Sequence, residues 1–385
     1  MDTKLLKFFY KWHRFEKQNN IDIIDFDLVQ QGKNIPDAFN SRDDVEKELL
    51  QLIDEYNAIP NKNEFISSKL IACKYYLSAL QGKKFPFGEY VSNTMGIVPK
   101  IISIKVLENQ LKTTADTYKT IGYSYEKAGL EKYEHENQLT QKEIELTFKK
   151  FRDDILPKVI KWLRLQVELK YKIKFVDIDT YWMNWISTDE NGEILLQYNL
   201  NNRHKWLKGS TEYLVFHEIC AHALQTLSWK NQIINGGLNP FVGLTTVFSP
   251  EQFFLEGIAE SLYYFYPSNP FSDYGLASLH TDHLYWLVMN NAHIMVNSGE
   301  SINKIVQFIK KYLPTRKEEE IVKNLKERVN DPLFRTYQYI YGIALYYHKL
   351  IADKLTNEQR RQYVLDIYQN VYNPKTIIDK FRVEL

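Results

Sequence analysis

The sequence predicts a mainly α-helical protein with one small antiparallel β-sheet beside its key helix. Three observations lead there. Only 15 Gly and 12 Pro punctuate 385 residues, which suits long helices. Apolar residues recur at helical spacing through most of the chain. Strand-like composition is confined to a stretch between Phe175 and Leu200.

Taken in order, the first twenty residues lack both an uninterrupted apolar core and a small-residue cleavage site, so they do not read as a signal peptide. From Val45 to Gln81 two helices are expected, the first ending near Ile59-Pro60 and the second at Gly82. The segment KKFPFGEYVSNTMGIVP follows and reads as a connector from its Pro and Gly content. Val106 to Ala128 is again helical. Thr140 and Glu143 form a capping box. The helix it opens carries Ile144, Phe148, Phe151, Ile155, Val159 and Trp162 on one stripe, with a kink expected at Pro157. Residues 1–165 read as a helical scaffold and 166–385 as the part that carries the chemistry, the two forming one compact unit.

Between Phe175 and Leu200 two β-branched and aromatic runs flank the turn signal Asp189-Glu190-Asn191-Gly192, which predicts an antiparallel pair. Its last strand, Glu193–Tyr198, precedes the key helix. As an edge strand it would either pair with an extended peptide or serve as an ordinary structural hairpin.

Thr211–Trp229 reads TEYLVFHEICAHALQTLSW and places His217, Glu218 and His222 in one helical segment. Two imidazoles and a carboxylate can hold Zn²⁺ and activate a water molecule. The spacing is HExxxH, one residue longer than HExxH. Residues five apart in an α-helix diverge by roughly 140°. A π-type turn is therefore expected between the two histidines. Cys220 between them reads as a small buried thiol in preference to a fourth ligand.

Downstream, Ser249 with Gln252 reads as a capping box, with Pro250 at the first helical position and a helix running to about Pro267. That helix carries Glu256 as the third candidate ligand and Glu260 one turn later, suited to accept from the free ring nitrogen of a ligating histidine. Two His and one Glu leave a fourth position open, as a catalytic zinc requires. Apolar neighbours (Phe253, Phe254, Leu255, Ile258) argue against a solvated carboxylate. Gly257 implies close packing against another backbone. The glycines of the intervening loop, Ile233–Val247, would let backbone approach a ligand.

Further on, His280 and His283 are three apart on a helix but lack a carboxylate-plus-His partner set, so they read as structural groups. Ser301–Leu313 is an amphipathic helix. The Tyr-rich run that follows sets Arg335, Tyr337, Tyr339 and Tyr341 among apolar residues. A zinc peptidase needs an oxyanion donor and often a cation for a substrate carboxylate. Tyr339 and Tyr341 are candidates for the first role, Arg335 and Tyr337 for substrate binding, against aromatic packing with an internal ion pair as the alternative.

A net charge of +1 with interspersed signs points to neither nucleic acid nor an anionic membrane. Two cysteines, Cys73 and Cys220, imply no disulfide framework and fit a reducing, cytoplasmic compartment. No apolar run approaches the length of a membrane span.

HEICAHALQ followed by FFLEGIAE resembles the gluzincin clan of metallopeptidases. More closely, the chain resembles a bacterial family catalogued only as domain of unknown function 885, whose members carry HExxPGHHxQ and then EGWA. Gln225 matches the family's Gln, and Glu256-Gly257-Ile258-Ala259 matches EGWA. ALQGKKFPFGEY, NNAHIMVNSGESINKIVQFI and DPLFRTYQYIYG resemble other parts of the family more loosely. The Pro-Gly before the second ligand is absent and the motif is one residue shorter, a spacing shared with the tubulin-tyrosine carboxypeptidase family, which the C-terminal part does not resemble. The resemblance implies a helical zincin-like metallopeptidase, with a carboxypeptidase as one form of it, and places Arg335 and a Tyr near the site. It implies no particular substrate beyond a peptide or protein. The same residues would serve a hydrolase of a non-peptide amide or ester, and a helical interaction protein with a decayed motif is the non-enzymatic alternative.

Overall fold

Helices begin where side chains can satisfy their first N–H groups. A computed structural model describes the chain except Lys33, Asn34, Pro36, Tyr181, Glu190, Asn191, Asn202, Arg203 and residues 383–385. α1 (Asp2–Lys17) is followed by α2 (Arg42–Asn57), capped by Ser41, and α3 (Glu64–Leu80), capped by Asn63. The segment read as a connector holds a helix, α4 (Phe87–Met95), which buries Phe87, Tyr90, Val91, Thr94 and Met95 and stops at Gly96 with φ 68°. Its helical spacing outweighs the Pro and Gly at its ends. The helical stretch expected from Val106 breaks at Ile121-Gly122 into α5 (Ile104–Thr120) and α6 (Lys127–Glu136). In α7 (Gln141–Leu163) the Thr140–Glu143 capping box is present, and the helix continues through Pro157.

The antiparallel pair expected on either side of the turn is present, but a third, parallel strand makes the sheet mixed. β1 (Tyr171–Val176), β2 (Asn184–Thr188) and β3 (Ile194–Asn199) lie in the order β1-β3-β2. β3 runs parallel to β1 (Ile173 opposite Leu196) and antiparallel to β2 (Ile186 opposite Leu196). The strand expected at the edge is thus the central one, and both its ladders are filled. Burial explains the choice: Ile194, Leu196 and Tyr198 face the core. β2 is an edge strand instead. Of the expected Asp189–Gly192 turn, Glu190 and Asn191 lie outside the described residues, and Gly192 N–H donates to the Asp189 carbonyl at 2.9 Å.

α8 (Ser210–Leu214), a π-helical segment (Val215–Ala223) and α9 (Leu224–Ile234) form one continuous rod. A 3₁₀ turn (Pro240–Gly243) leads to α10 (Gln252–Phe265). The capping box expected at Ser249 is not formed: Ser249 Oγ lies 2.6 Å from Thr246 Oγ1, Gln252 Nε2 donates to the Thr246 carbonyl, and α10 starts at Gln252. The two polar side chains bind the preceding loop instead of the helix end. That loop's Gly243 is packed against Val29 and Ile233, where a Cβ would lie 2.7 Å from Ile233, so its missing side chain serves chain packing. α11 (Asp273–Asn297), α12 (Ile302–Tyr312), α13 (Glu318–Asn330), α14 (Phe334–Lys354), α15 (Asn357–Gln369) and α16 (Pro374–Phe381) complete the molecule.

α10 lies between the π segment and α14 in the largest apolar core, which also takes Phe87, Ile144 and Phe148 from the first 165 residues and Phe216, Ile258 and Tyr339 from the rest. A second core packs α1–α3 against Phe241, Leu244 and Phe248 of the loop before α10. Among the described residues, no helix is long and apolar enough to cross a membrane.

Candidate metal centre

The π segment spans both histidines and is longer than the single turn that spacing demands. Its i→i+5 winding brings residues five apart back over one another. The Nε2 atoms of His217 and His222 consequently lie 3.2 Å apart. Glu256 Oε2, from α10, is 3.5 Å from His222 Nε2 and 4.0 Å from His217 Nε2. Ligand atoms about 2.1 Å from a tetrahedral zinc would stand about 3.4 Å from one another, so this triangle is of metal-binding size. The three residues form a group whose potential ligand atoms all lie within 4.8 Å of one another. Glu256 Oε2 is buried and has no hydrogen-bond partner, which leaves a lone pair for a cation. The donor set therefore fits a zinc ion.

The carboxylates around the triangle are fixed by different elements. Glu218 Oε1 lies 3.8 Å from His217 Nε2 and accepts from Asn184 at the start of β2. Glu260 Oε1 stands 3.6 Å from His217 Nδ1, on the side away from the triangle, as the one-turn offset from Glu256 requires. The Tyr213 hydroxyl lies 2.7 Å from Glu260 Oε2 and 2.8 Å from Asp282 Oδ2. One hydroxyl proton cannot serve both contacts, so one of these carboxyls is itself the protonated donor. Burial first, and then Asp282, hold Glu260 well above the usual carboxylate range.

His217, Glu218, His222 and Glu256 are only 3–7 % exposed, so their charges act through little water. Burial, reinforced by Glu256, pushes the Glu218 carboxyl up to about 7, against the opposing pull of His222 and Asn184. Burial and His222 push His217 down to about 3. Burial would lower His222 too, but Glu256, with Glu218 and Asp25 behind it, outweighs burial and raises it. Burial would raise Glu256; His222, His217 and Tyr337 together lower it.

The C-terminal candidates divide by helical face. The Tyr337 hydroxyl donates to Glu256 Oε1 at 2.8 Å, and Tyr341 donates to Tyr337 at 2.6 Å while stacking on Trp286. These two are four apart and share a face of α14. Tyr339, two residues off, faces the other way: it is fully buried, accepts from Lys100 N–H at 3.0 Å and packs on Phe87 and His293. Arg335 is likewise directed elsewhere, donating to Asn297 Oδ1 and lying over Phe87 and Tyr90. Neither is brought to the metal centre, because the 100° step of the helix separates them from Tyr337 and Tyr341. His283 is held by the Glu260 carbonyl at 2.7 Å and by Tyr264, a structural role. Cys220 is a buried free thiol outside the ligand group. Gly257 does permit close approach, but toward α14: a Cβ there would lie 2.3 Å from His348 Cδ2. Asn184, Tyr213 and Asp282 escaped the sequence reading: Asn184 and Asp282 come from distant elements, and Tyr213, though only four residues before His217, belongs to no motif and meets Glu260 of α10.

No family model matches the chain, and neither does any curated protein. Among solved structures, the chain is similar in fold to a protein described as a putative lipoprotein from Colwellia psychrerythraea. The TM-score is 0.57 at 11% identity, over 96% of this chain and 72% of that one.

Proposed function

We propose that the protein is a zinc-dependent hydrolase acting on peptide bonds. The observation that carries this reading is the convergence of His217, His222 and Glu256 on one point, with Glu218 beside it and all four buried. Zinc held by these three residues would supply a Lewis acid for the scissile carbonyl and lower the pKa of a water at its open position. Glu218 is the general base: its carboxyl, poised near neutrality, takes a proton from the attacking water and passes it to the leaving amine. Asn184 orients Glu218. Tyr337 holds Glu256 in place, and Tyr341, donating to Tyr337, sets the Tyr337 hydroxyl. Glu260 fixes the ring of His217 so that Nε2 faces the metal.

The resemblance to gluzincins at HEICAHALQ and EGIA supports the same reading, and the free edge of β2 beside Glu218 suits an extended peptide. The carboxypeptidase form is not favoured, because Arg335, the cation it was expected to use, is committed to Asn297.

Elemental analysis of purified protein tests the metal. One zinc per chain is expected, and stoichiometric binding should be lost in His217→Ala and in His222→Ala. Full zinc occupancy in both variants would overturn the assignment. Zinc bound without cleavage of peptides, but with turnover of simple esters or amides, would redirect it to a non-peptide hydrolase. No bound metal, and no thermal stabilisation by added zinc, would leave a helical interaction protein.

A further inference from the structure

α11 contributes no residue to the candidate ligand group, yet two consecutive residues of it grip Glu260. His283 Nε2 lies 2.7 Å from the Glu260 carbonyl, and its Nδ1 lies 3.0 Å from the Tyr264 hydroxyl. A carbonyl only accepts, so Nε2 carries the proton and Nδ1 accepts from Tyr264. Asp282 Oδ2 lies 2.8 Å from the Tyr213 hydroxyl, which stands 2.7 Å from Glu260 Oε2. Glu260 is therefore held twice, by its backbone carbonyl and by its carboxyl. α11 is itself firmly seated on α14. Trp286, one turn beyond Asp282, stacks on Tyr341 at 4.2 Å, and a Cβ on Gly342 would stand 2.3 Å from the Trp286 carbonyl.

The grip on the carboxyl matters at its far oxygen. A carboxyl group is planar, so its two oxygens turn together about the last side-chain bond. Tyr213 fixes Oε2, and Oε1 stands 3.6 Å from His217 Nδ1. Nδ1 is buried and has no hydrogen-bond partner, so Oε1 beside it is the acceptor that can set the ring. Releasing Oε2 would let Oε1 swing away from Nδ1. Cohesion between the helices does not call for this second hold. His283 already ties α11 to α10, and two carboxyl groups meeting at one buried hydroxyl cost free energy. What the Asp282 contact adds is direction.

We propose that Asp282 is a positioning residue of the candidate metal centre. Through the Tyr213 hydroxyl it fixes the Glu260 carboxyl, and through Glu260 it fixes the ring of His217 with Nε2 toward His222 and Glu256. The inference rests on the zinc reading above and not on peptide cleavage. Asp282 lies outside the ligand group, so its effect reaches the metal only through these side chains.

Zinc affinity, measured by competition with a chelator, tests this without any turnover. Asp282→Ala should weaken zinc binding about tenfold, the lower end for partners that orient a ligand. Asp282→Asn keeps a hydrogen-bonding group against Tyr213 and should bind zinc as the parent does. In a Glu260→Ala background, Asp282→Ala should weaken binding no further, because the path to His217 is already cut. Tyr213→Phe keeps the ring and removes only the hydroxyl, so it should also weaken zinc about tenfold, and it decides the matter if Asp282→Ala does not fold. Parental affinity in Asp282→Ala or in Tyr213→Phe overturns the proposal. Equal losses in the Ala and Asn variants, or losses that add in the Glu260→Ala background, overturn it as well. An unmutated protein that takes up no zinc overturns both this inference and the zinc reading. One that shows the expected affinities but cleaves no peptide keeps Asp282 in this role and loses the peptidase.

Discussion

Glu218 and His222 carry opposite demands at one site, and both can be tested. Glu218→Gln preserves shape and the bond partner Asn184 while removing the proton acceptor, so zinc content should be unchanged and turnover should fall at least about a hundredfold. Hydrolysis at the parental rate would exclude Glu218 as the base. The second test is pH. Glu256, with Glu218 and Asp25, holds His222 above its ordinary value despite burial, so in the metal-free protein it keeps its proton to higher pH than a free imidazole does. A ligand nitrogen must be deprotonated, so zinc uptake releases that proton. Apparent zinc affinity should therefore rise with pH through about 6 to 7, and calorimetry in buffers of different ionisation heat should show proton release at pH 6. Affinity flat across that range would show that His222 is already neutral. The grouping of His217, His222 and Glu256, with Glu218 and Glu260 beside it, was legible because each chemical type sits at a helical spacing that a metal can use. Tyr339 was misjudged beside Tyr337 and Tyr341 because three tyrosines at every second position cannot share one face of α14, and composition does not say which face meets α10.

Among the elements, α10 positions most of the centre, since Glu256 and Glu260 leave it on one side and Gly257 meets α14 on the other. A methyl group at Gly257 would lie 2.3 Å from the His348 ring, which is itself held by the Phe253 carbonyl and the Tyr363 hydroxyl. Gly257→Ala should cost about 1–3 kcal/mol, the usual penalty of overpacking, read from denaturant unfolding. In a His348→Ala background the same substitution should cost less, because the obstructing ring is gone. Equal costs in both backgrounds would place the crowding elsewhere. The π segment is the other decisive element. Its presence follows from the five-residue spacing, but its nine-residue length does not. The segment packs against α10 and α7, contacts that spacing cannot report.

Across the whole molecule, the N-terminal helices are joined to the part that carries the candidate metal centre through charge as well as apolar packing. Lys69 of α3 is fully buried, pairs with Glu251 at 2.5 Å and donates to the Leu244 carbonyl, with Phe9, Phe65 and Phe241 around it. Glu251 immediately precedes α10, so the pair ties the scaffold to the start of the helix that bears Glu256. Lys69→Met should destabilise the protein by about 3–5 kcal/mol, because it leaves Glu251 buried without its cation. Adding Glu251→Leu should recover much of that loss, since an apolar pair of similar volume avoids the stranded charge. Additive losses in the double variant would mean that the two residues act independently.

By itself the sequence determined the helical class, the capping box at Thr140, and the winding of the helix that carries His217 and His222, because each depends on spacing within some ten residues, where the period of a helix decides which side chains meet. It could not determine strand order. The pairing of β1 beside β3 is a long-range choice set by burial of Ile194, Leu196 and Tyr198. Nor could it show that Ser249 bonds to Thr246 instead of capping α10, since a polar side chain takes whichever partner the fold supplies. Only the tertiary structure brought Asn184 to Glu218, and Tyr213 and Asp282 to Glu260, because contacts between distant elements follow from how whole faces pack, and no local pattern records them.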